Sequence, residues 1–107
     1  MRMWMTDVKN LCNQHLQGEH VEIHMLAGTL KKKMSVKGYI DNNLIEVSSM
    51  KQRHDEIAKE MVRRGMNHKS PLEVPDYSYL PKKHKKYKID IDSAEKELKS
   101  RCNDCFK

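Results

Sequence analysis

The stretch that most constrains this chain is Asn13–Leu30, NQHLQGEHVEIHMLAGTL, which reads as one amphipathic helix. An α-helix advances about 100° per residue. At that pitch Val8, Leu11, Cys12, Leu16, Ile23, Leu26, Ala27 and Leu30 fall in one broad stripe, the side that a packed helix buries. His15, Glu19 and Glu22 fall inside the same stripe, stacked along one line of the helix surface at i, i+4 and i+7. A helix built only to pack would carry aliphatic side chains there. Burying a carboxylate without partners is costly, so these groups either meet cations or line a cleft. The expectation is a cleft. The alternative is an ordinary i,i+4 pair of His15 and Glu19, worth a few tenths of a kcal/mol, with Glu22 at a lysine-paired edge.

At 107 residues the chain makes one small domain. Glycine and proline are scarce, which disfavours a β-sandwich, and Leu, Met, Lys and Glu favour helix. The expected fold is all-α, a single compact domain of about three helices with long irregular connectors. A net charge of +6 suits a polyanion, most simply nucleic acid and less well an anionic membrane. No stretch approaches the ~20 apolar residues of a spanning helix. Met1–Met5 runs directly into Thr6, Asp7 and Lys9, unlike a signal peptide, so a cytoplasmic location is expected. Three cysteines without export signals read as reduced thiols.

Met1–Met5 is apolar except for Arg2 and is expected to lie extended against the core, anchored by Trp4, so that the terminal amine is held. Thr6-Asp7 is a plausible N-cap pair, leading into a main helix that runs to about Lys33. Gly18 and Gly28 within it cost ~1 kcal/mol each against alanine, marking close backbone approach or weak spots. Residues 37–43 carry turn chemistry and read as a loop. A second helix opens with a capping box of Ser49 and Gln52, buries Met50, Ile57, Ala58, Met61 and Val62, and stops at Gly65.

Prolines 71, 75 and 81 forbid helix in the next connector, whose Leu72, Val74, Tyr77, Tyr79 and Leu80 can pack back over the helices. Residues 82–107 form a basic C-terminal extension. Its dense run Lys82-Lys83-His84-Lys85-Lys86-Tyr87-Lys88 is a solvated linker, a phosphate-capture segment, or both; its order is left open. A last short helix starts at Asp92, boxed with Glu95, and carries Ala94 and Leu98. Cys102 and Cys105 make a lone CxxC. A structural zinc site wants four ligands and a lone CxxC supplies two, so these read as incidental thiols and no metal is expected.

Three blocks in order, Met1-Arg2-Met3-Trp4, Gln14-His15-Leu16 with Glu19 and Glu22, and Arg63-Arg64-Gly65-Met66-Asn67, resemble the pyrimidine-dimer DNA glycosylase/AP-lyase family, the phage-type endonuclease V. The resemblance covers roughly residues 1–81 and rests on order and spacing more than on any one motif. It implies an all-α DNA repair enzyme that acts on damaged double-stranded DNA as a monomer, in a bacterial or phage-infected cell and without a cofactor. It implies that the N-terminal amine is the nucleophile, that Glu22 is the essential acid, and that Arg2, Gln14 and His15 line the DNA site. Lys82, Lys83, Lys85 and Lys86 are the candidate phosphate contacts.

The chemistry needs such groups. An α-amine titrates near ~7.7–8.0 rather than ~10.4, so some of it is nucleophilic at neutral pH, and a cation such as Arg2 nearby would increase that fraction. Arg2 is too large to permit methionine removal, so Met1 itself is expected to carry the amine. The chain departs from familiar relatives in having Val21 and Met25 where those have arginines, and a lysine-rich C-terminus with only Tyr87 and Phe106 in place of Trp and Tyr. Two rival classes remain: a non-catalytic basic DNA-binding module, and a small zinc protein using Cys102 and Cys105.

Overall fold

The computed structural model describes residues 1–68 and 70–107. Five α-helices follow one another: α1 (Asn13–Lys31), α2 (Lys37–Asp41), α3 (Met50–Arg63), α4 (Lys82–Lys86) and α5 (Ile91–Arg101). Short 3-10 turns at Val8–Asn10 and Val47–Ser49 lead into α1 and α3, and no strand occurs among the described residues. The fold is all-α, as expected. The three longer helices are the three anticipated from the sequence; α2 and α4 are the additional ones.

The two long helices pack on each other through their apolar stripes. Leu16, Ile23, Leu26 and Leu30 of α1 and Met50, Ile57 and Met61 of α3 are buried between them. The N-terminal strip is extended and sealed to this core. Met3 and Trp4 are buried, and the Met3 N–H donates to the Leu44 carbonyl at 2.7 Å. Such anchoring is what holds a chain end that would otherwise fray.

Local details correct the sequence reading. Residues 37–41 are helical rather than a loop, because Val36 and Ile40 are both fully inside the core and one turn of helix puts them on one side. Ser49 occupies the N-cap of α3, but its hydroxyl donates to the Glu46 carboxylate, so the capping box does not form. Asp90, two residues before the expected cap, starts α5 by accepting from the Ser93 N–H at 3.2 Å. Gly65 ends α3 with φ +81°, the left-handed position that favours glycine. Nothing lies within 4 Å of a Cβ built on Gly18 or Gly28, so neither serves close approach. Val74 is exposed and does not join the packing of Leu72 and Leu80.

The C-terminal residues belong to the same core. Ile89, Ala94, Leu98 and Cys105 are buried in it. The Glu46 carboxylate accepts from the Ile89 N–H at 2.7 Å, and the Asn43 side chain takes the Tyr87 hydroxyl and the Asp90 N–H. Among the described residues no helix is long and apolar enough to cross a membrane.

Candidate active site

The three polar groups of the α1 stripe do not share one cleft. Each has a different fate. Glu19 is fully buried and is held by Arg53 of α3, Nε donating at 2.5 Å and Nη2 at 3.0 Å. Arg53 also donates from Nη1 to the Thr6 carbonyl at 2.6 Å, fastening the N-terminal strip to both helices. Glu19 is therefore a structural ion pair rather than a cleft-lining acid. Its partner had a visible signal: Arg53 interrupts the apolar stripe of α3 as Glu19 interrupts that of α1.

Glu22, one turn on, is half-buried at the edge of the core. Burial raises its pKa above the ordinary glutamate value, opposed by the Met1 ammonium, by the Arg2 guanidinium and by a hydrogen bond from the Arg2 backbone; the Glu19 charge adds to the rise. The amine at the chain's start and this carboxylate thus lie within electrostatic reach of each other. Met1 packs against the core while remaining partly exposed. The Met3–Leu44 bond, the buried Trp4 and the Arg53–Thr6 bond hold the strip that carries the amine.

The Arg2 side chain is engaged within the protein. Its guanidinium lies over the Trp4 ring at 4.0 Å and Nη2 donates to Glu97 of α5 at 2.5 Å. Helix α5 therefore grips the N-terminal strip from behind. His15 also has protein partners. Its Nδ1 is 3.2 Å from Cys12 Sγ and 3.5 Å from Cys105 Sγ, and its ring meets the Trp4 edge at 6.1 Å between centroids. Gln14 is exposed at the start of α1. Lys82, Lys83 and Lys86 are exposed and Lys85 half-exposed on α4, whereas Lys88 is engaged with Ser48. Val21 and Met25 stand exposed one turn apart on α1, flanking Glu22 in sequence.

Two groupings escaped the sequence reading. His20, His24, His54 and His68 form a cluster in which His20 Nε2 and His68 Nε2 are 2.9 Å apart. Burial and the neighbouring rings push the His20 pKa down to about 4. The i,i+4 spacing of His20 and His24 was its only local trace. The second grouping is Cys12, His15, Cys102 and Cys105, whose donor atoms all lie within 4.8 Å of one another. Its signal was the second half-motif Cys12-x-x-His15, overlooked beside Cys102-x-x-Cys105.

A groove of ≈ 800 Å³ runs between residues 5–9 and α3, with Lys9, Lys59, Arg63, Glu56 and Glu60 along it. Glu60 is clamped by Arg63 and Arg64, which hold its carboxyl down at about 2. Arg64 also donates to the Val8 carbonyl at 3.1 Å, so the Arg63-Arg64-Gly65 block ties the end of α3 to the start of the chain.

Residues 1–74 match the family model described as pyrimidine dimer DNA glycosylase. The chain belongs to that family. The match takes in the N-terminal strip, α1, α2 and α3, and leaves α4 and α5 outside it. No curated protein and no solved structure matches the chain. For a pyrimidine dimer DNA glycosylase family member, a half-buried glutamate that feels the charge of the terminal amine is the feature that bears most directly on chemistry.

Proposed function

We propose that this protein is a DNA glycosylase with AP-lyase activity on damaged duplex DNA, with the Met1 amine as nucleophile and Glu22 as the carboxylate that serves it. The observation that carries this reading is the half-buried Glu22, its pKa raised by burial and opposed by the charge of the Met1 amine. Family membership supplies the glycosylase class and the DNA substrate.

In the proposed reaction the amine lone pair attacks C1′ of the damaged nucleotide. The bond from C1′ to the base breaks, and the base leaves with the electron pair and is protonated. The sugar ring opens to an imine between Met1 nitrogen and C1′. Glu22 carries negative charge beside the cationic sugar as that charge develops. The imine acidifies C2′; loss of that proton, with Glu22 assisting, expels the 3′ phosphate oxygen and cuts the strand. Water then hydrolyses the imine and frees the amine. Gln14 and the α4 lysines 82, 83, 85 and 86 hold the DNA backbone, with the protein acting as a monomer.

The test is borohydride reduction with duplex DNA carrying one abasic site. A covalent complex through the N-terminal residue is expected, and acetylating that amine should abolish it while leaving DNA affinity largely intact. A protein that binds DNA but never traps would be the non-catalytic binding module. A blocked protein that traps and cuts at the normal rate would remove Met1 from the mechanism.

A further inference from the structure

We propose that Cys12, His15, Cys102 and Cys105 hold one structural zinc ion, which fastens the C-terminal hook to the start of α1 behind the N-terminal strip. The inference stands apart from the proposed reaction. It draws on the donor set, the spacing between donors and the backbone around them.

Three thiols and one imidazole are the donors of a closed, tetrahedral zinc site, and their two half-motifs, Cys12-x-x-His15 and Cys102-x-x-Cys105, have ordinary ligand spacing. Bonds of about 2.3 Å to sulfur and about 2.0–2.1 Å to nitrogen put tetrahedral donors about 3.8 Å apart for S···S and about 3.6 Å for S···N. Cys12 Sγ and Cys102 Sγ are 3.9 Å apart, and His15 Nδ1 is 3.2 Å from Cys12 Sγ and 3.5 Å from Cys105 Sγ. The four donors come from two chain segments about ninety residues apart and converge without a disulfide among them.

Backbone groups converge on two of the sulfurs. Cys12 is the N-cap of α1, where the helix end carries partial positive charge. Its own N–H donates to Cys105 Sγ at 3.2 Å. Amides aimed at sulfur are the outer partners that fix a thiolate's orientation on a metal. Phe106 follows at φ +65°, a left-handed conformation for a bulky residue, held by its N–H donating to the Asn10 carbonyl at 2.7 Å. Binding would release the three thiol protons to solvent and use the Nδ1 lone pair of His15, with Nε2 keeping its hydrogen.

Such an ion would sit behind the amine, not at it. His15 abuts Trp4, and Trp4 carries on its face the side chain of Arg2, the residue after the amine. Two of the ligands lie outside residues 1–74, so the site is not a property of the family match. With four protein ligands it leaves no open position for catalysis.

The experiment uses the full chain, purified reduced from zinc-supplemented cells, with metal measured per chain. One zinc per chain is expected, and near zero in Cys102→Ser and Cys105→Ser. The stripped wild-type chain is then titrated with cobalt(II). Tetrahedral ligand-field bands together with an intense thiolate-to-cobalt charge-transfer band, saturating at one equivalent and bleached by zinc, are expected. Wild-type protein that holds no zinc and gives no charge-transfer band overturns the proposal, whatever the variants do. Cobalt bands without thiolate charge transfer would put the metal on the histidine cluster and overturn it too. So would an intact mass short of two hydrogens under reducing purification, which would mean a disulfide.

Discussion

The Glu19 carboxylate is held by Arg53 through both Nε and Nη2, at 2.5 and 3.0 Å, where neither side chain meets solvent. Removing one partner leaves the other charge buried and alone, which costs ~3–5 kcal/mol. Glu19→Ala should therefore lose that much stability in urea unfolding, and Arg53→Met a similar amount. Replacing both at once with apolar residues, as Glu19→Leu with Arg53→Met, should recover most of it, because the desolvation penalty disappears with the pair. A double variant as unstable as the sum of the singles would mean that the Arg53–Thr6 bond, not the ion pair, carries the stability.

The histidine cluster predicts acid sensitivity well above the range where carboxylates titrate. His20 has a folded pKa of about 4 against an ordinary 6.5, from burial first and then His24, His54 and His68. Between these values the unfolded chain takes a proton that the folded chain refuses, so stability falls as pH drops from about 6.5 toward 4 and levels off below. Glu60, held at about 2 by Arg63 and Arg64, loses its contribution only below its ordinary 4.5. The melting temperature should therefore drop between pH 7 and pH 5, and the drop should shrink in His20→Gln. An identical pH slope in that variant would clear His20.

The α4 lysines make a separable prediction about DNA. Each phosphate contact contributes about −0.9 to the slope of log K against log salt on duplex DNA. Replacing Lys82, Lys83, Lys85 and Lys86 with alanine should flatten that slope by up to about 3.6 and weaken damaged and undamaged DNA alike. Val21→Arg, at an exposed apolar position next to Glu22, should steepen it by about 0.9 if that face meets phosphates. Fluorescence anisotropy across a salt series reads both.

What was legible in the sequence followed from periodicity. The stripes of α1 and α3, the extended strip anchored by Trp4, and the stop at Gly65 all reflect local pattern, and each is present, except that Val62, expected in the buried stripe of α3, is exposed. The family blocks were legible for the same reason, being contiguous. What was not legible were pairings across the chain. The sequence marks Glu19 as a polar intrusion, but only the crossing of α1 on α3 selects Arg53 as its partner. Cys12-x-x-His15 looks like one helical turn until Cys102 and Cys105 fold onto it. Short helices were missed where tertiary burial, as of Val36 and Ile40, outweighs the turn-forming residues beside them.

Glu22 separates a catalytic from a structural reading most sharply. Glu22→Gln keeps the size of the side chain and its ability to accept the Arg2 N–H, while removing the charge. If the carboxylate steadies a cationic sugar, its loss should slow turnover by ~10²–10³ on a duplex with one defined lesion. DNA affinity should hold or rise, because one negative charge near the phosphates is gone. Imine formation at an open abasic aldehyde needs less help than base displacement, so borohydride should still trap some complex while strand cutting stalls. Stability should change little or improve, since burial already disfavours the ionised form. A merely structural glutamate would give the opposite pattern: a lower melting temperature and normal turnover per folded molecule. Both quantities come from one preparation, and wild-type turnover in Glu22→Gln would end the catalytic assignment.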